Sequence, residues 1–255
     1  MPRVVRLDAL AGGVGGSWYV LMEGLARLVG EIHPDIQIAV VEGGGVSNHT
    51  RVGSGEIPMG VLNPPMTAAA IAVRRPYDRM HPALRIGVAN LTTNYLHCFV
   101  EEALPIESVT AWLEQRHPVR MPVDRVGTVD RMAFQLILDH FGVGEADIHG
   151  WGGEPDHDPR EPGMDGRRLA RGAYGIVERQ LRTVAMGTSL GFHADVPDDA
   201  VYGIVRAICE HAERVRRIHP AASGFDPGVA HRLSRGPLHP GAAKYFREAG
   251  LLTSR

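Results

Sequence analysis

Two glycine-rich turns and one polar crossover hold the residues best suited to gripping a small molecule. The first turn is Gly12-Gly13-Val14-Gly15-Gly16-Ser17, followed by Trp18 and Tyr19. A glycine-rich turn between strand and helix turns backbone N–H groups outward at the positive end of the helix, which suits an anion. Two nucleotide motifs fail here. A Walker A loop needs Gly-Lys-Ser/Thr, and Trp18 stands where G-x-G-x-x-G requires its third glycine. A tight turn that merely needs glycine remains the alternative. The second turn is Arg125-Val126-Gly127-Thr128-Val129-Asp130. Its N–H groups and the Thr128 hydroxyl can hold a carboxylate, or Thr128 can simply cap a helix. The crossover is Asn90 to His97, with Asn94, Tyr95 and His97 at a junction between two units. Small-molecule sites favour such junctions, although Asn and Thr also satisfy turn backbone. Asn63, before Pro64-Pro65, is a further candidate contact.

Other chemistries find little support. Thirteen histidines invite a metal, and Asp156-His157-Asp158 has the right donor types. It lies in a Pro-rich stretch, with neither helical i, i+4 spacing nor a C-x-x-C partner, so no metal is expected. Gly187-Thr188-Ser189 lacks the Gly-x-Ser-x-Gly order of a nucleophile elbow. No catalytic constellation and no cofactor motif stand out, so neither turnover nor a cofactor is expected.

The elements that would position these residues alternate between strand and helix. Val4–Leu10 reads as a strand. Trp18, Leu21, Met22, Leu25, Leu28 and Val29 then recur at helical spacing, with Ser17 as the cap. Ile36–Val41 is a second strand, a short helix runs from near Ser47 to before Gly53, and Ile57–Leu62 is a third strand closed by Asn63-Pro64-Pro65. Strands follow at Arg85–Ala89 and Tyr95–Val100. The alternation predicts an α/β fold around a parallel sheet. Further on, Ser108–Arg116 reads as helix and Val119–Val123 as extended. Gly127-Thr128 opens a helix whose apolar face is Val129, Met132, Ala133, Leu136, Ile137 and Phe141. Residues 150–172 have no periodic apolar pattern and read as irregular. Thr183–Phe192 is extended. Pro197 starts a helix carrying Val201, Ile204, Val205, Ile208, Ala212 and Val215, and a last helix spans Pro240–Ala249 up to Gly250.

Composition bounds the function. The chain has 255 residues, 44% of them hydrophobic and 22% charged, which is a globular rather than a disordered profile. Its 27 basic and 29 acidic side chains give a net charge of −2, which argues against nucleic acid as a partner. All the basic residues but Lys244 are arginine. Cys98 and Cys209 are too few for a disulfide framework. No apolar stretch reaches the roughly 20 residues of a membrane span.

Several of these segments resemble one family. Gly12–Tyr19, Val41–Gly60 with its Glu42-Gly43-Gly44-Gly45-Val46-Ser47-Asn48, Asn90–His97, Val126-Gly127-Thr128 and above all Leu238–Leu251 are similar to the TAXI-type solute-binding subunits of TRAP transporters. The resemblance implies a type II periplasmic-binding-protein fold. In it, two α/β lobes joined by a two-crossover hinge close on a small carboxylate or amino acid such as glutamate and hand it to the TRAP membrane subunit. The ligand contacts it implies are Gly15, Gly16, Ser17, Trp18, Tyr19, Asn63, Asn94, Tyr95, Arg125, Gly127 and Thr128. The first lobe would combine residues 1–88 and 196–255. The second would be 89–195, abbreviated relative to the family, with about 150–181 irregular. The implied location is the periplasm. The start Met1–Leu7 leaves no room for a signal peptide, which keeps the cytoplasm open. Two other readings stay open on the same fold: a cytosolic enzyme of the aromatic-acid decarboxylase type, and a cytoplasmic sensor or non-binding paralogue.

Overall fold

The computed structural model describes residues 4–95, 104–123, 128–156, 185–232 and 235–252. The chain divides into two compact units, Met1–Tyr95 with Val184–Arg255, and Leu96–Thr183. The boundaries leave 89–95 and 184–195 with the first unit, whereas the sequence reading assigned them to the second lobe.

In the first unit, a five-stranded sheet has the order β2-β1-β3-β9-β4. Its strands are β1 (Val5–Leu10), β2 (Ile36–Val41), β3 (Met59–Leu62), β4 (Leu84–Val88) and β9 (Ser189–His193). β1 pairs in parallel with β2 and β3. β9 runs antiparallel to both β3 and β4, so the sheet is mixed rather than parallel as expected. The reason lies in the chain path. β9 is reached only after the second unit, and the chain re-enters the sheet at the edge where β3 and β4 end.

The helices follow from apolar stripes. α1 (Ser17–Ile32) buries Leu21, Met22, Leu25, Leu28 and Val29, each side chain contributing roughly 2 kcal/mol by leaving water. Gly16, not Ser17, occupies the cap position, and no side chain caps the helix. α2 (Gly45–Gly53) starts two residues before the expected Ser47. Asn63-Pro64-Pro65 does more than close β3. It opens α3 (Pro64–Ile71), because a proline in the first turn forfeits only N–H groups that lack helical acceptors. The helix expected to reach Val215 breaks at His211 into α7 (Asp198–Glu210) and α8 (Ala212–Arg216). There the His211 ring nitrogen Nδ1 lies 3.0 Å from the Ala207 carbonyl, competing for the acceptor that continued helix would use. α9 (Pro240–Glu248) ends at Gly250, whose φ is +71°. The core of this unit joins α1, α7 and α9 to one face of the sheet through Leu25, Ile204, Phe192 and Phe246.

The two chain segments at the crossovers bond to each other within this unit. β5 (Thr93–Tyr95) pairs antiparallel with β8 (Ala185–Gly187). The buried hydroxyls of Thr92 and Thr188 lie 2.7 Å apart. Asn90, at φ +56°, donates its side-chain amide to the carbonyls of Val229 and Arg232.

The second unit contains α4 (Val109–Gln115), β6 (Arg120–Pro122), α5 (Val129–Phe141), α6 (Glu145–Gly150) and β7 (Glu154–Asp156), with β6 and β7 parallel. Ser108 caps α4 by accepting from the Ala111 N–H. Its core gathers Ile106, Trp112, Leu113, Val119, Leu138 and Ile148. The inward face of α5 differs from the expected one. Phe134, Ile137, Leu138 and Phe141 meet the core, whereas Leu136 is 56% exposed. Two overlapping stripes at helical spacing coexist in that segment, and tertiary packing selects the one that includes Leu138. Most of the 150–181 stretch, His157 and Asp158 included, and residues 96–100 of the expected fifth strand lie outside the described residues.

Candidate ligand-binding site

β1, β2, β3 and β4 run the same way, so the loops that follow them emerge at one edge of the sheet, and β9 begins there. That edge collects Gly12–Ser17, Glu42–Gly45, Asn63, Asn90–Thr92 and Thr188-Ser189 from the first unit. Ligands of open α/β sheets bind beyond the carboxyl ends of the strands.

The Gly12–Ser17 loop is tightly folded. The Gly16 N–H donates to the Gly13 carbonyl at 3.0 Å, and Gly15 sits at φ +81°, where an L side chain would be strained. The loop delivers α1 with its first turn uncapped by any side chain, Ser17 exposed, and Trp18 and Tyr19 packed partly onto the core. Outward-facing N–H groups of a four-turn helix are thereby left at the sheet edge.

Adjacent buried residues on α2 tie the neighbouring loops together. Asn48 donates to the carbonyls of Ala11 at 2.8 Å and Val61 at 2.9 Å, and accepts from the Gly44 N–H at 2.8 Å. One amide thus joins the ends of β1 and β3 to the start of α2. Gly43 makes room for it, since a Cβ there would fall 2.3 Å from Asn48 Oδ1 and 2.8 Å from the Ala11 carbonyl oxygen. The His49 ring lies 2.8 Å from the Gly45 carbonyl through Nδ1. Through Nε2 it lies 3.2 Å from both the Asn63 carbonyl and Thr67 Oγ1. Burial pushes its pKa down to about 4, so the ring is neutral at neutral pH.

Asn63 caps α3 in position only. Its backbone carbonyl accepts from the Thr67 hydroxyl and the Thr67 N–H, but its side chain makes no capping bond. That side chain is fully buried, and among the described residues neither Oδ1 nor Nδ2 has a hydrogen-bond partner. Such a group costs of order 1–3 kcal/mol unless something completes it.

The other expected contacts fall into three groups. Asn94 lies in β5 and donates weakly to Thr92 Oγ1 at 3.4 Å. Thr128 caps α5, accepting from the Arg131 N–H at 3.3 Å, so its hydroxyl has the capping role that the sequence left open. Arg125, Gly127 and the side chain of Tyr95 lie outside the described residues. The structure brings Gly15, Gly16, Ser17 and Asn63 to one sheet edge. Sequence reading overlooked Asn48 and His49. Their signal is the helical stripe Gly45, Asn48, His49 and Val52 at i, i+3, i+4, i+7, which a search for apolar periodicity passes over because half of it is polar.

Among the described residues, no group of three or more His, Cys, Asp or Glu could hold a metal ion. No described helix is long and apolar enough to cross a membrane.

The sequence model of the NMT1-like family matches residues 9–157 and 162–250. The chain belongs to the NMT1-like family. The fold is that of the type II periplasmic binding proteins. No curated protein sequence matches the chain. Among solved structures it is similar to the periplasmic binding protein BugD, at 12% identity and a TM-score of 0.50, covering 98% of this chain and 99% of that one. The methionine-binding protein MetQ is similar at 9% identity and a TM-score of 0.48, over 85% of this chain and 96% of that one. The aliphatic sulphonate binding protein SsuA from Escherichia coli is similar at 16% identity and a TM-score of 0.42, over 97% and 88%.

Proposed function

We propose that this NMT1-like protein captures a small organic anion, a carboxylate or an amino acid, at the sheet edge formed by Gly12–Ser17, Gly43–Gly45 and Asn63. The observation that carries the reading is Asn63. A fully buried carboxamide with neither atom paired, at the edge where α1 presents an uncapped first turn, fits a ligand that both donates and accepts. The loops at this edge contain no lysine or arginine, so backbone N–H groups would carry the anion's charge. By its resemblance to the TAXI type, glutamate is among the candidate ligands. Thr128 and Asn94 are secondary candidates. By its resemblance to the TAXI type, the protein would deliver its solute to a TRAP membrane subunit, in the periplasm.

A thermal-shift screen with L-glutamate, L-glutamine, succinate, 2-oxoglutarate and pyruvate tests this reading. A ligand at 100 times its Kd stabilises the folded chain by about 2.7 kcal/mol, enough to raise the unfolding midpoint measurably. A flat response to every acid at millimolar concentration rejects anion capture.

A further inference from the structure

Resting on that reading, the Asn63 side chain narrows what the ligand carries besides its carboxylate. The backbone carbonyl of Asn63 is already engaged by the N–H and hydroxyl of Thr67 and faces His49 Nε2, so the carboxamide alone is left to read a ligand. It is fully buried, and among the described residues neither Oδ1 nor Nδ2 has a partner. The groups around it are neutral. His49 is kept uncharged by burial, and Thr67 presents a hydroxyl. Leu62, at the end of β3, pairs with Ser189, so Asn63 and Thr188 come next along that ladder. The Thr188 hydroxyl is bonded to that of Thr92, and Ser189 Oγ is itself buried without a partner among the described residues.

Donor and acceptor chemistry then separates the candidate groups. A carboxamide offers N–H donors on Nδ2 and lone pairs on Oδ1, side by side. A second carboxylate only accepts. It would take the Nδ2 hydrogens but set its charge against Oδ1 in a buried place with no cation at hand, which is costly. An ammonium group only donates and leaves Nδ2 unserved. One hydroxyl oxygen placed between Oδ1 and Nδ2 bends both hydrogen bonds away from linearity, which weakens them. Another carboxamide carries an N–H and a C=O at the spacing of Asn63 itself. Its N–H donates to Oδ1 while its oxygen accepts from Nδ2, and both bonds are near linear.

We propose that Asn63 is the specificity-determining residue of the binding edge and that it pairs with a primary carboxamide, or the equivalent edge of a lactam. The captured solute is then a monocarboxylate bearing that neutral group, rather than a dicarboxylate. Its single negative charge meets the uncapped start of α1, and the amide pair is made without any charged side chain.

The test is calorimetry on the full chain near pH 7.5 with two matched pairs, succinamate against succinate and L-glutamine against L-glutamate. Within each pair the members differ only in carboxamide against carboxylate. At least one carboxamide should bind tenfold or more tightly than its matched acid, about 1.4 kcal/mol. Asn63→Ala should bring that ratio to within about threefold. A merely structural role for Asn63 would weaken both members alike and leave the ratio unchanged. Should Asn63→Ala fail to fold, Asn63→Leu fills the buried position with an apolar side chain and tests the same ratio. If acids bind and neither carboxamide outbinds its matched acid, or if the preference survives in the variants, this inference alone is overturned. If neither pair nor any other acid of the thermal-shift panel binds, the capture reading falls, and this inference falls with it.

Discussion

Asn63 separates the cost of folding from the demands of binding. Its carboxamide has no partner among the described residues, so truncation removes none of their hydrogen bonds while relieving two buried polar atoms. The small cavity left behind works the other way. Asn63→Ala should therefore change the stability of the free protein by no more than about 1 kcal/mol in urea unfolding, and lower affinity for the captured acid at least tenfold, about 1.4 kcal/mol. A large loss of stability would mean that the amide is satisfied within the fold. His49 sets a second expectation. Its folded pKa, about 4, lies below the ordinary histidine value of 6.5, so the unfolded chain binds more protons between those two pH values. Stability is then complete above about pH 6.5 and falls as pH drops towards 4, by about 3 kcal/mol from this residue. His81, His231 and His239 are shifted downward by burial as well and act in the same direction. Urea midpoints measured from neutral pH to about pH 4.5 should fall steadily, and His49→Gln should flatten the slope.

At the scale of elements, α2 does more than cover the sheet. Its inward stripe spends two positions on amide and imidazole groups that secure three loops, where another helix would bury leucine. Asn48→Ala strands the carbonyls of Ala11 and Val61 and should cost about 3 kcal/mol. Gly43→Ala drives a methyl group into the same amide. Because both changes damage one interaction, the double variant should be less destabilised than the two losses added together, by about 1 kcal/mol or more in a double-mutant cycle. Strict additivity would show that Gly43 is needed for some other contact. The same helix marks the limit of what the sequence makes legible. Apolar runs and periodicity locate β1, β2, α1 and α7, where burial and hydrophobicity coincide, and a proline start with a glycine stop locates α9. It misplaces the start of α2, misses α3 behind two prolines, and picks the wrong stripe on α5. In those places polar burial, proline geometry or a neighbour decides the outcome. The glycine loop before α1 is legible because a positive φ at Gly15 calls for glycine, whereas the uncapped start is not, since Ser17 reads as a cap. The unpaired state of Asn63 is a property of what surrounds it, which no local spacing records.

For the whole molecule, the question is whether both units take part in capture. The first unit presents the α1 start, and the second presents the start of α5 at Thr128. If both hold the solute, saturating acid should slow amide hydrogen exchange at Ser17–Tyr19 and at Val129–Arg131 together. Binding stabilises each local opening reaction by up to about 2.7 kcal/mol at 100 times Kd, close to a hundredfold in exchange rate. Protection confined to Ser17–Tyr19 would assign capture to the first unit alone. The NMT1-like family match covers both units, so the family alone does not choose between these outcomes.

The antiparallel strand β9 also governs the order in which this protein can be made. β3 and β4 flank it, and every ladder they form on those sides is with β9. A ribosome finishes β1 to β4, then the entire second unit, before Ser189 to His193 leave the exit tunnel. Until then β4 has no strand beside it, and one side of β3 is an open edge able to pair with a stranger. α7 and α9, which close the apolar face with Ile204 and Phe246, arrive later still. The nascent first unit is therefore an unsealed template for roughly a hundred residues of synthesis, and at about 5–20 residues per second that is several seconds of exposure. Completion must wait for contacts far apart in sequence, which makes folding slow and post-translational. The delay leaves time for a chaperone to engage the chain while its edge is still open.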